Sequence, residues 1–444
     1  MRSVCAIAGL AVHSAVHSRI FGWMSGCVFF VTLVLPHLLQ GDATPQGQMR
    51  IAIAYPLTIV FVLLILGTLW LSSGLIAREI EGGEIQLVVV KPVRPVAIWL
   101  GKWLALLAIN VLLVTLAVAG ILVSSWLIAG GSSGEDVVAM RQSVLTARQE
   151  FVPDAIPGLN EKAERELARQ IRQRLVEPDS GLARVRGEIM AARSMVFAGK
   201  SVDWPVTLSQ SAFEHARHDS LSLRYRFHCD PTERVPASGV WHISSGAANT
   251  KVAVSNVLDG VHHLMLPAGF KPDAEKINIS FKSSSGNPTL YFDPERPVTV
   301  LVHRGGFAGN LLRSGLALIC FLAAVAAIGL TMSAMFSFPV AAFCAAAIIF
   351  AVVLAGSFSE VDVEREHSHH SADSRLVQVT EPAIVFLKHA TDNITVNLPI
   401  SDVSGGMFFG YRRLAELVVL LLLLTPLVCG LVAVMVLSQK EMAA

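Results

Sequence analysis

Five stretches of this chain run for 20 or more residues without a charged side chain, and that pattern constrains its fold more than any other feature. They are Ile20 to Gln40, Ile51 to Ala77, Trp103 to Gly130, Ser314 to Ser359 and Leu417 to Ser438. A helix rises 1.5 Å per residue, so about 20 apolar residues cross a hydrocarbon core. The fourth stretch has 46 residues, roughly 69 Å as one helix and about twice the core thickness. It must fold back on itself. Ser337-Phe338-Pro339 supplies the turn, because proline disfavours a helical residue before it and has no N–H to continue the ladder. Six spans are predicted.

Composition agrees with a polytopic membrane protein: 53% of the side chains are hydrophobic, 16% are charged and the mean hydropathy is +0.57. A net charge of +1 argues against nucleic-acid binding, and no Cys/His spacing suggests a zinc module. Of the six cysteines only Cys229 lies away from the apolar segments, so the polar region has no disulfide partner of its own. The first span follows a polar lead, HSAVHSR, and no small-residue cleavage site follows it, which reads as a retained span.

Six spans put both termini on one side. Arg2, Arg19, Arg78, Lys91, Arg94, Lys102 and Lys440 then gather there, which marks that side as cytoplasmic. Arg313, Arg412 and Arg413 fall on the opposite side, against the simple bias. They are expected at headgroup level on the lead-ins GNLLRSG and FFGYRRLAEL.

The expected fold is therefore an α-helical membrane protein with an extracytoplasmic α+β domain. Residues 1–130 would hold an N-terminal segment and spans one to three, and 313–444 spans four to six with an outer loop at 360–412. Residues 131–312 carry 20 Asp/Glu and 21 Lys/Arg, close to the charge density of a soluble domain. Helices are predicted within 135–200, from the stripe Ala163, Leu167, Ile171 and Leu175 and again over Leu182 to Phe197. From residue 220 to 305 the period changes to two, in LSLRYRF, GVWHIS, TKVAVSNV, HHLMLP, KINISF, TLYF and PVTVLV. Seven such strands predict a β-sandwich or jelly roll, and that fold leaves both ligand binding and simple stiffening open.

Between spans two and three, residues 76–102 form a charged connector. Ile76, Ile80 and Leu87 share one helical face while Arg78, Glu79, Glu81 and Glu84 lie elsewhere, and Gly82-Gly83 allows a bend. The order Arg78, Glu79, Gly83, Pro92, Gly101, Lys102 resembles the coupling segment of type 2 ATP-binding-cassette (ABC) permeases, although Val88 departs from its leucine. AIAGLAVHSAVHSRIF is similar to that family's elbow helix, and LTMSAMFSFPVAA to its turn between spans four and five.

This resemblance implies a permease subunit in a bacterial-type plasma membrane, exporting a substrate or transmitting force. The partners implied are a separate cytoplasmic ATPase carrying ATP and Mg, a second permease chain and membrane lipid. Arg78, Glu79, Glu81, Glu84, Lys91, Pro92, Arg94, Gly101 and Lys102 would contact the ATPase. The chain itself would be no enzyme and would bind no cofactor. Gly199-Lys200-Ser201 has Ser194 where a phosphate-binding loop needs its first glycine. The alternative is a membrane scaffold or receptor acting through the β domain.

Other polar features carry weaker signals. Alanines of span five, among them Ala341, Ala345, Ala347, Ala351 and Ala355, suit close helix contact either within the chain or with a second one. His367, His369 and His370 sit beside acids without fixed ligand spacing and read as a polar loop. His37 and Glu416 suit anchoring at an interface, and Asn110 suits a bond to a neighbouring helix.

Overall fold

The computed structural model describes residues 2–39, 44–82, 94–132, 134–173, 181–219, 221–229, 236–256, 260–267, 269–294, 296–359 and 400–443. Two compact units divide them. One holds the described residues up to Ala147 and from Gly306 onward, the other Arg148–Gly305.

The first unit is built of helices. They are α1 (Arg2–Val16), α2 (Arg19–Leu38), α3 (Pro45–Leu75), α4 (Ala77–Glu81), α5 (Pro95–Gly130) and α6 (Gly134–Ser143), then α10 (Phe307–Met335), α11 (Phe338–Ser359), α12 (Ile400–Ser404) and α13 (Tyr411–Gln439). Five are long and apolar enough to cross a membrane: α2, α3 with α4, α5, α10 and α13. The expected hairpin turn appears at Phe336-Ser337, where α10 ends and α11 begins with Phe338-Pro339. α11 is apolar over Phe338–Val352, a shorter stretch than the other five offer.

α10 is the hub. In its apolar window 78% of the residues are buried, against 17% for α2 and 28% for α13, so those two are peripheral. Its small residues Ala317, Ala323, Ala326, Ala327 and Gly329 let α3 and α5 close in. A Cβ on Gly329 would stand 1.9 Å from Ser72 Oγ, so only glycine fits. Large apolar side chains such as Trp23, Trp126, Phe343 and Leu427 point away from the bundle and are exposed. Such a surface suits lipid.

Both peripheral helices contain a widened π turn, Phe30–Val34 in α2 and Val418–Leu424 in α13. Each turn closes one residue or so before a proline, Pro36 and Pro426. Proline donates no N–H and its ring clashes with the carbonyl four residues back, and a wider turn relieves both. In α13 the Thr425 hydroxyl donates at 2.8 Å to Leu420 O, the same carbonyl that accepts the Thr425 N–H.

The second unit holds β1 (Thr146–Phe151), α7 (Leu159–Arg172), α8 (Leu182–Ser194), β2 (Met195–Val196), β3 (Ser201–Thr207) and α9 (Gln210–His218). β4 (Leu221–Cys229), β5 (Ala237–Ser245), β6 (Ala248–Asn256), β7 (Val261–Met265), β8 (Lys276–Ser283), β9 (Leu290–Phe292) and β10 (Val298–Gly306) follow. One sheet runs β1-β10-β4-β9-β2 with β7 also on β4, and the other runs β3-β8-β5-β6. The pairings resolved between strands β2 to β10 are antiparallel.

The two sheets share one core. Tyr225 and Phe227 of β4 meet Trp241 and Phe281 of the other sheet, with the Tyr225 and Trp241 rings 4.7 Å apart. All seven alternating segments are strands. The second predicted helix ends at Ser194 rather than Phe197, because Met195 and Val196 leave the helix to pair with Tyr291 and Leu290.

Candidate coupling site at the end of the second apolar helix

The helix formed by α3 does not run on smoothly into α4. At Ile76 the backbone shifts to φ −102° and ψ −43°, and the normal ladder is interrupted. Its freed groups find partners on other helices. The fully buried Ser333 hydroxyl of α10 accepts the N–H groups of Ile76 at 3.1 Å and Ala77 at 2.8 Å. Lys102 of α5 donates to the carbonyl of Leu75 at 2.7 Å. The same ammonium pairs with the Glu79 carboxylate.

Lys102 is only 4% exposed, so this pairing is what makes its burial tolerable. Glu79 is therefore held by an ion pair within the chain, while 35% of its side chain stays exposed. Glu81 is also engaged: it accepts the N–H of Phe338 at 3.1 Å, placing a carboxylate on the positive N-terminal end of α11. Arg78 lies over the Phe338 ring, 4.3 Å from its centre, and Trp70 meets that ring edge-on at 4.8 Å. Ile76 is buried and Ile80 packs with it against Trp99, Trp103 and Leu330. α4 is thus fixed on three sides, by α5, by α10 and by the start of α11.

Gly101 has a packing role. A Cβ there would come within 2.9 Å of the Ile7 Cγ2 methyl and 3.2 Å of Val4 O, so glycine lets α1 lie directly on α5. Beside this contact, α1 and the ends of α3, α4 and α5 enclose a cleft of about 620 Å³ whose lining includes Leu10, Trp70, Arg78 and Lys102. Arg94 is the residue before α5; its side chain is exposed and its carbonyl accepts the N–H of Ala97 at 2.8 Å. Glu84, Lys91 and Pro92 lie outside the described residues, as do Leu87, Val88 and His367, His369 and His370.

The other predicted positions separate cleanly. Asn110 is buried and its Oδ1 accepts the Thr68 hydroxyl of α3 at 2.9 Å, a helix-to-helix bond. Glu416 pairs with Arg412 at 3.0 Å, and Arg413 reaches Asp402 at 3.4 Å. Arg313 donates to Tyr411 Oη at 3.0 Å and to Asn310 Oδ1 at 3.2 Å, with Phe408 and Tyr411 rings against its guanidinium. His37 is exposed near the end of α2. In α11, Ala341 and Ala345 are buried inside the unit while Ala347 and Ala351 are exposed, so the alanine stripe serves internal packing on one face only.

Two groups of residues escaped the sequence reading. Ser333 is one, and nothing in its local sequence marks it. Gly22 and Gly26 of α2 are the other, and their four-residue spacing is a recognisable signal. A Cβ on either would meet nothing within 4 Å, and with Trp23 and Phe30 they line an open groove on the outside of the unit.

No protein family and no curated protein matches the chain. The resemblance to ABC permeases rests on the motifs alone.

Proposed function

We propose that this chain is the membrane-spanning subunit of an ABC exporter, in which a separate cytoplasmic ATPase acts on the connector at residues 76–102. The observation that carries this reading is the fixing of α4 by Ser333, Lys102 and the Glu81 to Phe338 bond. A short helix tied at once to α5, α10 and α11 passes a push at its exposed side to all of them, as coupling requires. The exposed Arg94 supplies charge at the start of α5 for the ATPase to meet.

On this reading α11 is the sixth span, both termini are cytoplasmic, the membrane is a bacterial-type plasma membrane and the β unit lies outside. ATP and Mg belong to the ATPase, and lipid covers the exposed apolar faces. A second permease chain completes the transporter, and the empty groove over Gly22 and Gly26 supports a contact through α2. The transported substrate or transmitted force would use the space between two such chains.

The test is to purify the full chain with its candidate ATPase in nanodiscs and compare ATP turnover for the wild type and an Arg94→Glu/Glu84→Ala variant. Glu79→Ala is unsuitable for this purpose because it exposes a buried cation to desolvation inside the chain. We expect a complex whose turnover is uncoupled by the double change. If no ATPase associates under any nucleotide condition, the reading is wrong and a scaffold acting through the β unit takes its place.

A further inference from the structure

The exporter reading leaves unused the cleft of about 620 Å³ beside α1. α1 packs on α5, where Gly101 admits Ile7, and a gap separates it from the end of α3. Leu10 and Ala11 of α1 line one side of that gap, Trp70, Leu71 and Gly74 of α3 the other. Leu10 and Trp70 are exposed, so two apolar helix faces stand apart with nothing of the unit between them. The volume falls in the range of roughly 300–1,000 Å³ that ligand sites occupy.

Two features point to the kind of ligand. The first is the order of polarity along the cleft. Its charged lining residues, Arg78, Glu79 and Lys102, gather where α3 gives way to α4. Trp70 and Leu71 lie about two turns, roughly 11 Å, back along that helix, inside a run without charge from Ile51 to Ala77. In a helix that crosses a membrane, the end of such a run marks the border between hydrocarbon and headgroups. The cleft therefore has the polarity of one lipid layer, charged at its surface and apolar inward. The second feature is the setting of Arg78. A Cβ on Gly74 would come within 3.1 Å of its Nε, so glycine lets the side chain lie against the helix, and its guanidinium lies over the Phe338 ring, 4.3 Å from the centre. A guanidinium engaged through its face keeps its N–H edges for acceptors, and their fork fits a phosphate. Lys102 is committed to Leu75 and Glu79, which leaves Arg78 as the lining cation that meets a ligand.

We propose that this cleft binds one membrane phospholipid, with its phosphate on Arg78 and an acyl chain between α1 and α3. Cationic clefts between membrane helices are known sites for lipid headgroups. The proposal rests on the membrane-spanning part of the exporter reading and is independent of the ATPase.

The experiment is native mass spectrometry of the full chain, recovered from the membrane fraction in detergent and titrated with three probes. They are dioleoyl phosphatidylglycerol, dioleoylglycerol, which has the tails alone, and glycerol phosphate, which has the phosphate alone. Phosphatidylglycerol is expected to bind one per chain, about tenfold or more tightly than dioleoylglycerol, and glycerol phosphate not at all at about 1 mM. Arg78→Gln should abolish the preference for phosphatidylglycerol and leave dioleoylglycerol unchanged; its exposed position keeps the fold intact, which an unchanged melting temperature verifies. Ala11→Trp fills the gap and should weaken both lipids. Equal binding of the two lipids, a preference that survives Arg78→Gln, or glycerol phosphate binding as tightly as the lipid would each overturn the proposal. A chain absent from the membrane fraction would instead overturn the membrane-spanning reading beneath it.

Discussion

Lys102 and Glu79 stand 23 residues apart in sequence and form an ion pair across the break between α3 and α4, with the lysine almost wholly buried. Removing the carboxylate strands a cation, whereas removing both charges does not. Glu79→Ala is therefore expected to destabilise the chain by on the order of 2 kcal/mol, a figure reduced from the fully buried case because Glu79 is partly exposed. Glu79→Ala/Lys102→Met should recover much of that loss. A double-mutant cycle of thermal unfolding measures it, and additive single effects would show that the pair carries no coupling.

Ser333→Ala takes away the acceptor of two backbone N–H groups at once. A loss of about 1–3 kcal/mol is expected, together with faster tryptic cleavage at Arg78 as α4 loosens. Cleavage at the wild-type rate would mean that α4 is held without Ser333.

Gly101→Ala places a methyl against Ile7, and overpacking of this kind costs about 1–3 kcal/mol. Shrinking the opposing side chain tests the cause: Gly101→Ala/Ile7→Ala should melt higher than Gly101→Ala alone. A rescue that fails would assign the cost to something other than the contact of α1 with α5.

Gly22→Leu and Gly26→Leu are expected to leave the melting temperature of the single chain unchanged, since a side chain there meets nothing inside it. Under the proposed pairing through α2 they should shift the chain from dimer to monomer in light scattering. A variant that stays dimeric moves the contact elsewhere.

Tyr225 links stability to pH in the β unit. Burial raises its phenol above the ordinary value of 10.0, opposed by the Asn256 amide, which donates to its oxygen at 2.9 Å. The neutral phenol is favoured in the folded state, so its contribution is complete below pH 10 and is lost as pH climbs from there through the raised folded value. The stability of the β unit should fall over that window, and less steeply in Tyr225→Phe. Parallel slopes for the two proteins would refute the link.

Much of this architecture is written in local pattern. Hydropathy marks the long helices because each has to be apolar along its whole length, and Pro339 marks the hairpin because it cannot continue a ladder. The seven alternating strands are legible for the same reason: one side of each faces the shared core. β3 escaped because Pro205 speaks against a strand, yet β3 is the edge of its sheet, where a missing N–H is tolerated. β2 has two residues and no readable period. The site was legible in part. Arg78, Glu79 and Lys102 stood out as charges beside apolar runs, but their partners did not, because contacts such as Lys102 with Leu75 or Ser333 with Ala77 depend on how helices distant in sequence come together.

A helix break whose two N–H groups rest on a hydroxyl from another helix has no spring of its own. It keeps its shape only while α10 stands at one height, and a slide of one residue's rise, about 1.5 Å, is enough to take Ser333 out of reach. α4 is in that sense a gauge of α10: whatever shifts the central helix along its axis is registered at the connector as the loss of two bonds.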